Sequence, residues 1–262
     1  MRQLTQICAC LLVLVAMSAV QARAQLLDEI IKRGKVQIAV DTGTPPFGIT
    51  DANMQPDGAD IEVAKLIAKD LGVTLEMVPV TGPNRVPFLL SGKADMVVSI
   101  FGITPERAKS VAFSIPYGAL KAVIFGPKSV AIKSMADLKG KRIGVARGNI
   151  MDIELTATAP EGTIFQRYDD EASSNAALLA GQVDAIGIPD HTGVLLAKQN
   201  PDKQLESKFV TRLSPYGIGI KRGDSDLLQW LNTFVFFHKN NGDLAKIYEK
   251  SVGSPLPDRA TF

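Results

Sequence analysis

The sequence predicts a mixed α/β protein with mostly parallel sheets, arranged as two similar lobes. Three observations carry this. Apolar strand-like runs alternate with segments of helical periodicity from Val36 onward. One unit occurs twice: Leu89-Leu90-Ser91-Gly92-Lys93-Ala94-Asp95 matches Leu178-Leu179-Ala180-Gly181-Gln182-Val183-Asp184, each reading as a helix end, a glycine cap, a tight turn and the start of a buried strand. A second pair, Pro116-Tyr117-Gly118 and Pro215-Tyr216-Gly217, brackets the second half, and each member leads into an apolar strand. Together they describe two α/β lobes joined by two crossing strands, with a ligand cleft between the lobes and closure around the ligand as the expected motion.

The elements follow in order. Arg2 precedes an apolar run from Ile7 to Val20, and Ala22-Arg23-Ala24 offers a small-x-small cleavage site, so residues 1–24 read as a signal peptide. The run is shorter than the roughly 20 residues of a membrane span. Strand Val36–Val40 comes next. Helix Asp60–Leu71 has Ile61, Ala64, Ile67, Ala68 and Leu71 on one face and stops at Gly72. Thr74–Val80 reads as a strand, Asn84–Leu90 as a short helix and Ala94–Ser99 as a strand. The pattern resumes with strand Arg142–Ala146, helix Ile150–Thr158, strand Ile164–Tyr168, helix Glu171–Ala180 and strand Val183–Ile188. The C-terminal remainder returns as helices with Leu227, Leu228, Leu231, Phe234 and Val235 on a core face. Residues 25–118 and 217–262 are therefore assigned to the first lobe and 119–216 to the second.

Composition excludes several functions. Both cysteines, Cys8 and Cys10, lie in the signal segment, which leaves the exported chain without a disulfide, a thiolate nucleophile or a cysteine metal site. His191 and His238 are too few and too scattered to ligate a metal. Removing residues 1–24 takes the net charge from +2 to zero, which argues against a nucleic-acid binder. No Gly-rich phosphate loop and no Ser-His-Asp order is present. No cofactor is expected, and nothing demands more than a monomer.

The most informative stretch is Phe101-Gly102-Ile103-Thr104-Pro105-Glu106-Arg107-Ala108-Lys109, after the apolar run Met96–Ile100. It reads as a buried strand ending at Gly102 followed by a helix start, with Thr104 as N-cap, Pro105 at the first helical position and Glu106 in the first turn. Such a corner has free backbone N–H groups, and Arg107 adds a planar fork matched to a carboxylate. On spacing alone, a solvated helix residue is the simpler reading of Arg107.

At this point the chain resembles the periplasmic solute-binding proteins of amino-acid ABC transporters, bacterial extracellular solute-binding family 3, over essentially its whole exported length. The resemblance rests on Gly58-Ala59-Asp60-Ile61-Glu62-Val63-Ala64, Ile103–Arg107 with Phe113-Ser114-x-Pro116-Tyr117, Asp137–Val145, and Asn241–Tyr248, in that order. It implies the two-lobed type II periplasmic-binding-protein fold. It implies that Arg107 binds the ligand α-carboxylate, with further donors from the strand end at Ile100 and Gly102 and from the turn containing Asn149 and Ile150. Asp190 takes the α-amino group, and Asp41 lies where some members contact a basic side chain. The implied partners are an amino acid and an ABC permease in the inner membrane.

Several positions depart from the family. Aromatic residues that sandwich the ligand fall at Thr44 and Ala59, and two hydroxyl donors fall at Gly102 and Ile150. The segment Asp184–Asp190 is one residue longer than the commonest form, which offsets Asp190. The resemblance therefore implies a wide pocket. Thr81-Gly82-Pro83-Asn84-Arg85-Val86-Pro87 is similar to the glutamate/aspartate-binding branch, where the arginine meets a side-chain carboxylate. Arg85 makes an acidic ligand the leading subtype, with other polar amino acids beside it; Asp41 opposes a second carboxylate.

Two rivals remain at this stage. An enzyme on the same scaffold, such as a cyclohexadienyl-dehydratase-like lyase, needs a general acid in the cleft. Glu171 and Glu154 are the candidates, and for each a solvated helix residue is the simpler reading. A receptor for a non-amino-acid carboxylate, or a sensory module, is the other. Asp190 also reads as a helix N-cap, and Tyr117 and Tyr216 as hinge packing.

Overall fold

The computed structural model describes residues 25–257. The targeting segment 1–24, with Cys8 and Cys10, and the last five residues lie outside them.

The first sheet begins with β1 (Lys35–Val40), which pairs in parallel with β4 (Thr74–Pro79) and with β5 (Met96–Val97). The antiparallel strands β12 (Gly219–Lys221) and β6 (Val111–Phe113) complete the order β4-β1-β5-β12-β6. The second sheet has the order β11-β7-β10-β8-β9, from β7 (Gly118–Pro127), β8 (Arg142–Ala146), β9 (Ile164–Tyr168), β10 (Ala185–Pro189) and β11 (Leu205–Tyr216). Here β9-β8-β10 is parallel, and β7 and β11 are antiparallel. The expectation of mostly parallel sheets is corrected accordingly: each sheet is parallel at one end and antiparallel at the other. The antiparallel ends are made by the crossing strands and by β12, which runs back after the second crossing. A small hairpin of β2 (Ile49–Thr50) and β3 (Pro56–Asp57) leads into the first long helix of the first lobe.

Helices cover the sheet faces because their apolar residues recur at helical spacing. The helix α2 (Ala59–Leu71) buries Ile61, Ala64, Ile67 and Ala68, and Gly72 ends it in the left-handed conformation, φ 67°. It follows α1 (Leu26–Arg33). The C-terminal α8 (Ser225–Asn240) and α9 (Asp243–Val252) pack on the first lobe's core through Leu227, Leu231, Phe234, Val235 and Leu244. In the second lobe, α5 (Ile150–Thr158), α6 (Glu171–Leu179) and α7 (Asp190–Gln199) alternate with the strands. Among the described residues no helix is long and apolar enough to cross a membrane.

The repeated unit has a physical basis. Gly92 and Gly181 both adopt positive φ, 74° and 71°. The following aspartates do the same work: Asp95 accepts from the Gln37 N–H at 2.7 Å and pairs with Arg33, and Asp184 accepts from the Arg142 N–H at 2.8 Å and pairs with the Arg142 guanidinium. Each ties the start of its own strand to the start of the neighbouring one.

The two Pro-Tyr-Gly segments lie side by side. Gly118 opens β7 opposite Tyr216, which closes β11. The Tyr117 and Tyr216 rings are buried edge to face, 4.7 Å between centroids. Gly118 has no side chain because one would fall inside the Tyr216 hydroxyl. Gly118→Ala is expected to destabilise the protein by about 1–3 kcal/mol, read as a lower urea midpoint; an unchanged midpoint would mean the crossing tolerates a spread that its packing argues against.

Candidate functional site

The corner after β5 forms for local reasons. The Thr104 Oγ1 accepts from the Arg107 N–H at 3.1 Å and caps α4 (Pro105–Ala108), with Pro105 at the first helical position. The strand itself stops early, at Val97, because Ile100 turns to φ 35°, an unusual conformation for a β-branched residue. Asp60, in the first turn of α2, holds that turn: its Oδ2 accepts from the Ile100 N–H at 2.7 Å and its Oδ1 from the Tyr117 hydroxyl at 2.6 Å. The Ile100 N–H is thus already engaged, which corrects the expectation that it serves as a free donor. Burial pushes the Asp60 carboxyl up to about 7, with the Tyr117 and Ile100 hydrogen bonds opposing.

This corner sets Arg107 at the seam between the lobes. Arg107 is buried, its Nη1 donates to the Gly102 carbonyl at 2.6 Å, and its Nη2 donates across the cleft to the Gly148 carbonyl at 2.8 Å. The guanidinium lies over the Phe101 ring, 4.8 Å from its centroid. Burial, and then the charge of Arg85, lowers the Arg107 pKa to about 9. Among the described residues no carboxylate stands within ion-pair distance of Arg107. Its charge is met by two carbonyls and an aromatic face, an arrangement whose chemistry suits an anion. Gly102 permits this arrangement: a Cβ there would be 3.3 Å from both Arg107 Nη1 and the Ile150 side chain.

The facing turn belongs to the second lobe. Asn149 caps α5, its Oδ1 accepting from the Asp152 N–H at 2.7 Å, while its Nδ2 donates to Glu171 Oε1 at 2.6 Å. Both ends of that side chain are in use, so what the turn offers is its backbone and the buried Ile150. Thr44 and Ala59, the expected sites of aromatic walls, are buried and small.

The other end of the cleft is a cavity of about 320 Å³ lined from the first lobe by Asp41, Thr42, Gly43 and Thr81 and from the second by Asp170 and Ala172. Asp41, one of its lining residues, forms a buried ion pair with Arg85, 3.1 Å. The expectation that Arg85 is free to meet a ligand carboxylate is corrected by this pairing. Removing one partner of a buried pair leaves the other charge uncompensated, so Arg85→Ala is expected to cost about 3–5 kcal/mol in chemical denaturation. Arg85→Met combined with Asp41→Leu should recover most of that loss; equal losses in the two variants would show that the pair's charges are not coupled.

Asp190 opens α7 as its first helical residue, with Pro189 in the cap position, so the N-cap reading is corrected. Its neighbours reach the other lobe: the Thr192 hydroxyl donates to the Pro45 carbonyl, and His191 Nε2 lies 3.0 Å from Ser254 Oγ. Of the eight candidates, Arg107, Gly102, Asn149 and Ile150 meet in one cluster and Asp41 and Arg85 in another, while Ile100 supports from behind. Sequence reasoning missed Asp60, legible only as part of the Gly-Ala-Asp signature, and misread Glu171, which is buried rather than solvated.

The fold and this cleft match known proteins. The family model for bacterial extracellular solute-binding proteins, family 3, matches residues 36–254. The chain belongs to that family. A glutamine-binding protein of an ABC transporter from Bacillus subtilis is 31% identical to this solute-binding protein over 88% of the chain and 86% of the relative. Among solved structures, a mutant of the arginine-binding protein from T. maritima superposes with a TM-score of 0.81 at 33% identity, covering 87% of this chain and 99% of that one. An ancestral amino acid-binding protein described as a precursor of cyclohexadienyl dehydratase gives 0.78 at 34% identity, covering 87% and 99%. The structure is that of a two-lobed, type II periplasmic binding protein. Among the described residues no group of three His, Cys, Asp or Glu is placed to hold a metal ion.

Proposed function

We propose that this solute-binding protein is an exported, monomeric receptor that captures a free amino acid between its lobes, closes about the two crossing strands, and presents the closed form to an ABC-type permease. The observation that carries this is Arg107, a buried cation that has no carboxylate partner among the described residues and bridges the lobes through Gly102 and Gly148. A ligand α-carboxylate on that guanidinium would gain charge-assisted bonds of roughly 1.5–3 kcal/mol each. The guanidinium touches both lobes here, and a ligand that shares those contacts would bind the closed state better and shift the population toward it. Asp190, at the start of α7, is the acid assigned to the ammonium group, one residue beyond the end of β10. The names of the relatives, which bind glutamine and arginine, support an amino acid as the ligand class.

One observation favours a second reading, an eliminating enzyme acting on a carboxylated ring. Burial raises the Glu171 carboxyl to about 7, a value suited to a general acid, and one relative is a dehydratase precursor. Calorimetric titration of ligand-stripped protein against the common amino acids and their decarboxylated amines tests both. One-to-one binding of an amino acid and none of its amine supports the receptor. Absence of binding across the panel, with conversion of a cyclohexadienyl carboxylate, would replace it with the enzyme.

A further inference from the structure

We propose that Gly82 sets how far the two lobes close: the position is kept bare of a side chain, and a single methyl group there holds the cleft open. This rests on the receptor reading above and assigns the contact that limits its closure.

Gly82 opens a short 3-10 turn, Gly82–Asn84, in the first lobe. A Cβ on it would stand 2.7 Å from the Arg147 carbonyl oxygen, 3.5 Å from the Asn149 backbone nitrogen and 3.6 Å from the Gly148 carbonyl carbon. Its three nearest neighbours are all backbone atoms of the second lobe, and no atom of its own lobe beyond its chain neighbours stands closer. The contact is reciprocal, since a Cβ on Gly148 would lie 3.5 Å from the Pro83 nitrogen and Cα. Gly148 needs glycine in any case for its φ of 68°. Gly82 is not among the residues with positive φ, so its own backbone makes no such demand.

The facing turn is fastened in place. The Arg147 N–H donates to the Tyr168 carbonyl at 2.7 Å, the Gly148 N–H to Asp152 Oδ2 at 2.9 Å and the Asn149 N–H to the Ala146 carbonyl at 3.2 Å. On the first lobe, the Asn84 N–H donates to the Thr81 carbonyl at 3.0 Å and closes the Gly82 turn. Arg107, Thr192 and His191 reach the opposite lobe through side chains, which can rotate aside. At Gly82 backbone meets backbone, and neither can. A methyl group at 82 therefore penalises the closed form and spares the open one, which shifts the population toward open. The Gly148 carbonyl also accepts from Arg107 Nη2, so the same displacement parts the lobes at the carboxylate corner.

One local explanation competes. Pro83 follows Gly82, and a proline disfavours helical backbone in a preceding residue that carries a Cβ. That strain acts in the open and closed forms alike, and it vanishes when Pro83 is replaced.

The test is calorimetry with the twenty common amino acids on the ligand-stripped receptor as native protein, Gly82→Ala, Pro83→Ala and the double variant. Small-angle scattering follows each protein with and without the amino acid that binds the native form most tightly. The native radius of gyration should fall on binding. Gly82→Ala should bind the same amino acid roughly tenfold to a hundredfold more weakly and compact less. The double variant should show the same loss relative to Pro83→Ala, with an unchanged ligand-free melting temperature. Equal affinity and equal compaction in the native protein and Gly82→Ala overturn the inference. So does a loss that disappears in the Pro83→Ala background, or one matched there by a lower ligand-free melting temperature, since either places the strain inside one lobe. Failure of every amino acid to bind the native protein refutes the receptor reading and this inference with it, and is distinguishable because the native protein fails before any variant is compared.

Discussion

Replacing Arg107 with alanine is expected to weaken amino-acid binding by two to nearly four orders of magnitude while leaving the protein folded. The guanidinium brings a full positive charge to the Gly102–Gly148 seam, and among the described residues no carboxylate stands within ion-pair distance of it. In the complex its loss leaves the ligand carboxylate buried and uncompensated, a penalty of about 3–5 kcal/mol. Folding is affected far less. The variant loses two hydrogen bonds to carbonyls but also sheds a desolvated cation, and these effects oppose each other. The diagnostic outcome is a melting temperature near the native value with the ligand-induced rise abolished. A variant that still binds tightly, or one that unfolds, would show that Arg107 serves the fold instead. Arg107→Lys should recover only part of the affinity, since an ammonium lacks the planar fork.

The second large effect is on stability against pH. Asp60 and Glu171 are buried acids, each raised to about 7 from ordinary values of 3.8 and 4.5. The folded state thus prefers both carboxyls neutral. Their contribution is fully present below about pH 4 and is lost as pH rises toward and through 7. The decline amounts to at most roughly 4 kcal/mol for Asp60 and 3 kcal/mol for Glu171. The oppositely shifted acids Glu76 and Asp137 are exposed and contribute little. Urea midpoints should therefore fall between pH 4.5 and 7.5, the reverse of ordinary acid denaturation. Glu171→Gln should flatten part of that slope. Asp60→Asn should flatten more of it, at lower absolute stability, because an amide cannot accept from both Tyr117 and Ile100. A midpoint that climbs with pH in all three proteins would contradict the burial of both acids.

Much of this fold could be read from local chemistry. The α5 helix runs from Ile150 to Thr158, bounds set by Asn149 as its cap, and α4 begins at Thr104-Pro105 for the same kind of reason. Both glycine-capped repeats hold in the structure because each glycine must adopt positive φ. Long-range effects were less visible. The strand expected over Ala94–Ser99 shrinks to Met96–Val97, since Asp60, some forty residues earlier in the chain, pins Ile100 in a turn. The twelve-residue β11 escaped notice because two register shifts break its alternation. The same distinction applies to the site. Arg107 announces itself through its own helix start. Arg85 announced itself too, but its pairing with Asp41 depends on how β1 and α3 (Arg85–Ser91) come together. Glu171 looks like an ordinary polar residue in the first turn of a helix, and its burial comes with a hydrogen bond from Asn149, 22 residues earlier.

The most direct measurement is a crystal structure of the protein with its preferred amino acid bound. The α-carboxylate should lie on the Arg107 guanidinium between the Gly102 and Gly148 segments, with the Asp60–Tyr117 and Asp60–Ile100 bonds intact. A ligand seated elsewhere, with Arg107 still donating only to the Gly102 and Gly148 carbonyls, would contradict the account at its centre.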